Sequence, residues 1–319
     1  VLVVIDYCRT WPRLERLVKF LLLMGGAAAV IAIGLWLLPD STANSALNAL
    51  TRLGYPGGWV IRYIEENPEL SERAIGTSVD PNSLGGLLLM IGALIGPQVV
   101  TRQPLFRRPL VLLIAGLVIV ALILTFSRGA MLGLAAGLGF VALTRYRRLL
   151  PWLALAALLL LVLPITQGYI ARFVEGFQGA DLATQMRFGE YKDALILIGR
   201  YPIFGVGFAG TPDIDVYLAV ASVYFTIAGR MGLLGLLGFF TIMAVVFGYA
   251  YRHRAAARAD ERRDAVWLGL HAALVGALVA GVFDHYLFNM DFPHAVTIFW
   301  MVLGLAVAGT RLGATTETR

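Results

Sequence analysis

Several arginine residues of this sequence lie beside long apolar runs, where a charged side chain is unusual and indicates a possible functional role. Arg128, in the stretch TFSRGAML at 125–132, interrupts a long apolar segment. An ionisable group near hydrocarbon is costly and is commonly functional. The guanidinium group is a planar fork of donors that binds phosphate oxygens in pairs, and it stays charged when partly desolvated. Several arginines at one membrane surface would therefore suit a diphosphate.

A second set of reactive side chains lies in FDHYLFNMDFPH at 283–294. Histidine side chains titrate near neutral pH, so His285 is a candidate proton acceptor, with Asp284 beside it in sequence. The alternative is that both residues only cap and anchor the end of a helix, as polar residues often do at a membrane boundary. Asp213 and Asp215 form a DID pattern of the kind that holds a divalent ion, but so short a pattern is common by chance, and no metal site is predicted.

The composition indicates a membrane protein. Hydrophobic residues make up 59% of the chain and charged residues 14%, with a mean hydropathy of +0.77, whereas soluble domains carry roughly 25% charged residues. A transmembrane helix needs about 20 apolar residues. We predict an all-α polytopic bundle of about eight spans, forming a single integral membrane domain over residues 1–319. The predicted spans are 17–39, 82–100, 109–126, 130–144, 149–166, 233–250, 265–283 and 292–309. The opening VLVVI resembles the remnant of an earlier helix, which predicts missing N-terminal helices.

Lysine and arginine residues predict the orientation of the bundle, because short cytoplasmic loops are enriched in them. They cluster at 9–19, 102–108, 145–148 and 252–263, which are alternate loops and therefore lie on one side. That side is predicted to be cytoplasmic. The net charge of +6 is accounted for by this topology, so no nucleic-acid partner is implied.

The predicted outward side holds two long loops, about 40–81 and 167–232, a hairpin tip at 127–129 and a turn at 284–291. Loops held by a rigid scaffold often carry function. The stretch 187–198 has an apolar face at Phe188, Tyr191, Leu195 and Ile198, which predicts an amphipathic helix on the bilayer surface. The outward cations, each alternatively an interfacial anchor or half of an ion pair, are Arg73, Arg128, Arg172, Arg187, Lys192, Arg200 and Arg230.

Turn chemistry predicts several local features. Asp80 and Pro81 form a turn before a helix that Asn82 or Ser83 caps. Gly85 and Gly86 let that helix pack closely in the bundle. Ser127 is predicted to cap the helix that follows it. The glycine-rich stretch at 205–207 is predicted to have a backbone that is free to approach a ligand.

Four motifs in a fixed order carry a family resemblance. They are RxxGTxxDPN at 73–82, TFSRGA at 125–130, RYPIFGVGF at 200–208 and YxxxAGRMGLLGL at 224–236. Together they resemble the O-antigen ligase and O-antigen polymerase superfamily, which consists of polytopic bacterial glycosyltransferases. The resemblance extends over roughly residues 70–310.

The resemblance implies transfer of a glycan from a polyprenyl-diphosphate carrier to a hydroxyl group of a glycan, lipid or protein acceptor. The reaction would take place at the outer face of the bacterial cytoplasmic membrane, with inversion at the anomeric carbon and without a metal or other cofactor. By the family pattern, Arg128 and Arg200 are the expected diphosphate ligands, and Arg73, Arg187 and Arg230 are further candidates.

The sequence departs from the family pattern at the base. Ligases of this family carry a His-Asn pair before the glycine-rich helix, and Ala221 and Ser222 occupy those positions here. Arg230 also stands where an acid is common. A substitute base must come from elsewhere, and we predict His285 with Asp284. Ligase and polymerase stay open as alternatives.

A different class of function is a transporter or flippase for a polyprenyl-linked or other anionic lipid, because outward arginines would serve binding equally well. Alternating access calls for helices broken near mid-membrane and often for an internal repeat. The sequence indicates neither. A structural membrane partner is a third alternative, but it leaves the outward arginines unexplained.

Overall fold

The computed structural model describes residues 1–162, 170–171, 174, 178, 182–208 and 220–317. Its described part is mostly helical, with two short strands, and the described helices are numbered here in chain order. They are α1 Leu2–Tyr7, α2 Trp11–Trp36, α3 Asp40–Asn48, α4 Pro81–Val100, α5 Arg108–Leu124, α6 Arg128–Thr144, α7 Leu150–Val162, α8 Leu182–Arg200, α9 Val223–Arg252, α10 Arg254–Ala257, α11 Glu261–Ala280 and α12 Pro293–Glu317. Short 3₁₀ turns lie at Ala49–Leu53, Ile64–Glu66 and Arg147–Leu149.

Five of these helices, α2, α4, α9, α11 and α12, are long and apolar enough to cross a membrane. The helices α5 and α6 are also apolar but have 17 residues each. The predicted span 149–166 contains α7 and ends outside the described residues. The expectation of a multi-pass helical membrane protein is therefore confirmed, whereas the count of eight spans stays a prediction.

The centre of the bundle is formed by α4 and α11. Helix α11 packs against α4, α6 and α12, and α5 packs against α2 and α4. Leu88 and Leu89 of α4 and Leu270 and Leu274 of α11 are fully buried. Because both helices are enclosed by their neighbours, neither needs a polar face. Close van der Waals packing of this kind is what holds helices together in a membrane.

The ends of the helices form two separate groups. At one end, Arg145 Nε lies 2.8 Å from Asp264 Oδ2, and Arg262 Nη2 lies 2.9 Å from Glu15 Oε2. At the other end, the start of α4, the α5–α6 tip, the start of α9 and the turn 281–292 meet; this is called the site end below. The grouping agrees with the alternation of loops predicted from the charge pattern.

The predicted loop 40–81 has structure of its own. Besides α3, it contains two short antiparallel strands, β1 Arg62–Tyr63 and β2 Glu72–Arg73, in which Arg62 faces Arg73. A small apolar cluster lies beneath them: Ala43, Leu47, Val60, Ile61 and Ile75. The sequence analysis predicted neither the strands nor this cluster. The loop continues into the bundle where the Ala74 N–H donates to the Leu124 carbonyl at 2.8 Å.

Helix α9 differs from the prediction in two ways. It begins at Val223, ten residues before the predicted span 233–250, so the end of the predicted outward loop is helical. It is also interrupted at Gly232, where φ is 68° and ψ is −175°. The sequence analysis did not predict this interruption, which lies just before the predicted span 233–250. The expectation that no helix is broken near mid-membrane therefore stays a prediction.

The loop after α8 binds the backbone groups freed by this interruption. The N–H groups of Val206 and Gly207 donate to the carbonyls of Gly229 and Arg230 at 2.9 and 2.8 Å, and Leu233 N–H donates to the Pro202 carbonyl at 2.8 Å. The glycine-rich stretch 205–207 thus approaches α9. The expectation that its backbone is free for a ligand was wrong.

Candidate functional site

A cavity of about 470 Å³ opens at the site end, between α6, α8, the start of α9 and the turn after α11. Its charged lining comes from Arg128 and Arg187. Most of its remaining lining is apolar or aromatic: Gly129, Leu132, Thr184, Phe188, Tyr191, Ser222, Tyr224, Phe225, Val282 and Phe283. A concave, mostly apolar site with a few polar groups is typical of ligand binding. The charges at Arg128 and Arg187 make it suited to an amphiphile with an anionic head.

Arg128 is the first residue of α6 and lies at the tight tip between α5 and α6, as predicted. Its Nη2 is 3.5 Å from the Thr184 hydroxyl oxygen of α8. The preceding Phe126 has a left-handed φ of 53°, which lets the chain reverse within three residues. Ser127 occupies the N-cap position, but its side chain makes no capping hydrogen bond, so that detail of the prediction was wrong. The tip directs a guanidinium group toward α8.

Arg187 of α8 faces Asp284 in the turn after α11, with 4.0 Å between Arg187 Nη2 and Asp284 Oδ2. Asp284 is 8% exposed, and its Oδ1 accepts the His285 backbone N–H at 2.9 Å. Burial raises the pKa of Asp284 to about 7, and the Arg187 charge opposes that shift. The sequence-predicted Asp284 and Arg187 are thus brought together.

Neither Asp284 nor His285 is among the residues that line the cavity, but Asp284 contacts Arg187, which does line it. The His285 Nδ1 is 3.5 Å from Asn289 Nδ2, and the His285 ring centroid is 6.0 Å from that of Phe292. Burial lowers the pKa of His285. His294 is engaged separately, because its Nε2 lies 2.8 Å from the Ser83 hydroxyl.

Arg73 connects the hairpin of β1 and β2 to the site end without lining the cavity. Its Nε donates to the Thr125 carbonyl at 2.9 Å, and its Nη2 donates to Asn82 Oδ1 at 2.7 Å. The first bond satisfies a carbonyl at the end of α5, which is otherwise without an intrahelical partner. Arg73 therefore holds the α5–α6 tip against the start of α4.

The start of α4 is capped by Asp80, whose Oδ1 accepts the N–H groups of Asn82 and Ser83 at 2.8 and 3.0 Å. The helix start was predicted correctly, but the predicted cap at Asn82 or Ser83 was wrong, because the aspartate already reaches both amides. Gly85 packs closely, as predicted. A Cβ there would lie 2.9 Å from the Ala130 Cβ of α6.

Arg200 and Arg230 lie away from the cavity lining. Arg200 is exposed at the end of α8, about 24 Å along the helix axis from Thr184, which contacts Arg128. The structure therefore does not bring Arg128 and Arg200 to one diphosphate. Arg230 in α9 stacks on Phe208, with 5.5 Å between the guanidinium carbon and the ring centroid.

Two residues of α8 that the sequence analysis did not select hold the start of α9. Glu190 Oε2 accepts the Ala221 N–H at 2.9 Å. The Tyr191 hydroxyl lies 3.1 Å from the Ala221 carbonyl and 3.2 Å from that of Val282. The sequence signal for Glu190 was its position one helical turn after Arg187. Its contact with Ala221 spans 31 residues, so no local pattern reveals it.

Some predicted residues lie outside the described part of the chain, namely Arg172, Asp213 and Asp215. Within the described part, no three histidine, cysteine, aspartate or glutamate side chains form a group suited to a metal ion.

The fold defines a multi-pass helical membrane protein with a mostly apolar cavity, lined also by two arginines, at one end of its bundle. Residues 111–240 match the family model described as O-antigen ligase. That match confirms the resemblance to the O-antigen ligase superfamily, and it includes three of the four motifs, those at 125–130, 200–208 and 224–236. No curated protein matches the chain at a significant level of similarity. The family match suggests an enzyme of the membrane glycosyltransferase type.

Proposed function

We propose that the protein transfers a glycan from a polyprenyl-diphosphate carrier to an acceptor hydroxyl group. The observation that carries this proposal is the cavity at the site end, where two guanidinium groups, those of Arg128 and Arg187, stand among apolar walls. A polyprenyl diphosphate has the matching chemistry, with a strongly anionic head on an apolar chain. The family match supports the same reaction type.

In the proposed donor complex, Arg128 and Arg187 bind the diphosphate through paired hydrogen bonds. The polyprenyl chain lies along the apolar side chains of Leu132, Phe188 and Phe225. In this proposal the site end lies on the extracytoplasmic face of the bacterial inner membrane, as the positive-inside pattern predicts. Arg73 serves as a positioning residue in this proposal, since its guanidinium already binds Thr125 and Asn82.

The proposed chemical step is an inverting displacement. The acceptor oxygen forms a bond to the anomeric carbon, the bond from that carbon to the diphosphate oxygen breaks, and its electron pair leaves with the diphosphate. Arg128 and Arg187 stabilise the negative charge that develops on the leaving group. No step in this mechanism requires a metal or another cofactor.

Asp284 is the proposed acceptor of the hydroxyl proton, with the His285 backbone N–H fixing its orientation. In the free protein, the Arg187 charge favours the ionised form of Asp284. A bound diphosphate would compensate that charge, so Asp284 would become a stronger base when the donor is in place. The His285 ring has a supporting role in this mechanism, because its described contacts are with Asn289 and Phe292 rather than with residues that line the cavity.

The interrupted helix α9 is the one observation that favours a transporter, because broken helices are common at transport sites. The freed backbone groups at Gly232, however, are bound by the loop 202–207. They are not available to coordinate a transported ion or lipid. We therefore favour the transferase.

The test uses purified full-length protein in lipid with a panel of polyprenyl-diphosphate oligosaccharides, comparing wild type with Arg128→Ala by gel and mass spectrometry. Longer lipid-linked glycans that the variant does not make would support a polymerase. Release of polyprenyl diphosphate with the glycan joined to another acceptor would support a ligase. Saturable binding without any change in lipid or glycan would overturn the proposal in favour of transport.

A further inference from the structure

Side chains of helix α8 form hydrogen bonds with both the backbone N–H and the backbone carbonyl of Ala221. Glu190 accepts the N–H of Ala221, and the Tyr191 hydroxyl donates to its carbonyl. The next residue, Ser222, lines the cavity and is the N-cap of α9. Glu190 is not itself a lining residue of the cavity, but Tyr191 beside it and Ser222 after its partner Ala221 both line the cavity, so its carboxylate lies at the edge of the cavity.

The charge of this carboxylate argues against a place in the donor site. A glutamate would repel a diphosphate, and Arg187, one helical turn earlier, already provides the matching cation. Carboxylate oxygens are instead good acceptors for neutral hydroxyl groups, and hydrogen bonds to charged groups are the stronger ones. Glu190 is partly exposed, so an incoming molecule can reach it.

One oxygen of Glu190 is left for such a contact. Within the described part of the chain, its hydrogen bond to Ala221 is made by Oε2, and no second hydrogen bond to the carboxylate is present. A role confined to fixing the start of α9 needs only one acceptor oxygen. The second oxygen of the carboxylate can accept a hydrogen bond from a bound molecule without disturbing the contact between Glu190 and Ala221.

We propose that Glu190 binds the acceptor, with Oε1 accepting a hydrogen bond from a sugar hydroxyl of a neutral glycan. The acceptor hydroxyl that reacts would then lie beside Ser222, facing Arg187 and Asp284. This inference rests on the proposed function and leaves the proton transfer to Asp284. It makes Glu190 a residue that selects a hydroxylated acceptor.

The test is steady-state transfer by the full-length protein in lipid, with the donor and the acceptor varied separately, for wild type and Glu190→Gln. The amide oxygen of glutamine still accepts the Ala221 N–H, but the charge is lost. We expect the acceptor KM to rise about tenfold, the usual size for a hydrogen bond to a charged group. The donor KM and the melting temperature should stay unchanged. Glu69→Gln, at an exposed acid of the loop 40–81, is the matched control.

An unchanged acceptor KM in Glu190→Gln would mean that Glu190 only fixes the start of α9, and it would overturn the inference. Loss of the acidic limb of the pH profile in this variant would also overturn it, because Glu190 would then be the base. Failure of the proposed function looks different: the wild-type protein would then transfer no glycan, and only saturable binding of the polyprenyl-diphosphate glycan would be seen. The two failures are therefore distinguishable.

Discussion

Arg187 Nη2 and Asp284 Oδ2 lie 4.0 Å apart where the cavity meets the turn after α11. The pair joins α8, which lies over the cavity, to the buried centre of the site end. A cation this close stabilises the charged form of a buried carboxylate, and any anion that binds the cation weakens that effect. In the proposed mechanism, donor binding and the basicity of Asp284 are therefore coupled through the guanidinium group of Arg187.

The first prediction concerns the pH dependence of kcat/KM, which reports the ionisation of the free enzyme. Asp284 must be ionised to accept a proton, and burial raises its pKa to about 7. We therefore expect kcat/KM to fall as the pH drops through about 7 and to level off above it. Asp284→Asn should lower kcat by roughly a hundredfold or more, the usual contribution of a general base. It should also remove the fall in kcat/KM at low pH, which is the acidic limb of the pH profile.

Two further variants make that prediction specific. Asp291→Asn changes an exposed carboxylate in the same turn and should keep both the rate and the limb. Arg187→Lys keeps the charge beside Asp284 but loses the paired hydrogen bonds, so the limb should persist while the donor KM rises. An Asp284→Asn enzyme with a wild-type profile would exclude this aspartate as the base.

The second prediction separates positioning from donor binding at Arg73. Its guanidinium group holds the Thr125 carbonyl and Asn82. Arg73→Lys keeps the charge but cannot make both bonds, so it should lower the free energy of unfolding by about 1–3 kcal/mol. The donor KM should change little. A large rise in donor KM at wild-type melting temperature would instead return Arg73 to the donor site, where the family resemblance placed it.

Much of this fold follows from the sequence. The apolar runs and the alternation of basic loops predict helices whose ends form two groups, and the helix starts near Pro81 and Arg128 follow from turn chemistry. The start of α9 was predicted ten residues too late because its first ten residues include Thr226, Arg230 and two glycines, which fit a loop equally well. The interruption at Gly232 stayed hidden because a lone glycine in an apolar run is ordinary in membrane helices.

The site was predictable only in part. Arg128, Arg187 and Asp284 were selected by residue type and by position near the ends of helices, which local sequence reveals. That Arg187 meets Asp284, while Arg200 lies at the far end of α8, depends on how α8 packs against α9. Glu190 was missed for the same reason, since its partner Ala221 is distant in sequence and binds through the backbone.

The third prediction tests the junction between the loop 202–207 and α9. A Cβ at Gly232 would overlap the Ile203 carbonyl, and the φ of 68° with ψ of −175° belongs to a region that only glycine adopts readily. Gly232→Ala should therefore lower the free energy of unfolding by at least about 2 kcal/mol, seen as a lower melting temperature. Gly238→Ala lies on the same helix and meets no atom within 4 Å, so it should change stability by less than about 1 kcal/mol. Equal effects of the two substitutions would contradict the junction.

The last prediction compares Arg128 with Arg200, which the family pattern paired as diphosphate ligands. Arg128 lines the cavity and contacts Thr184, whereas Arg200 is exposed about 24 Å farther along α8. Arg128→Ala should raise the donor KM by roughly tenfold to a hundredfold, the effect of losing charge-assisted hydrogen bonds. Arg200→Ala should leave the donor KM within about twofold of wild type, because exposed charges contribute little.

The comparison is best made by titrating a polyprenyl-diphosphate glycan into each variant at saturating acceptor. Melting temperatures measured in the same lipid would show that neither variant is misfolded. Equal and large losses for both would mean that α8 moves on donor binding and carries Arg200 to the head group. A loss confined to Arg128→Ala would support a diphosphate bound in the cavity, because Arg128 lines the cavity and Arg200 does not.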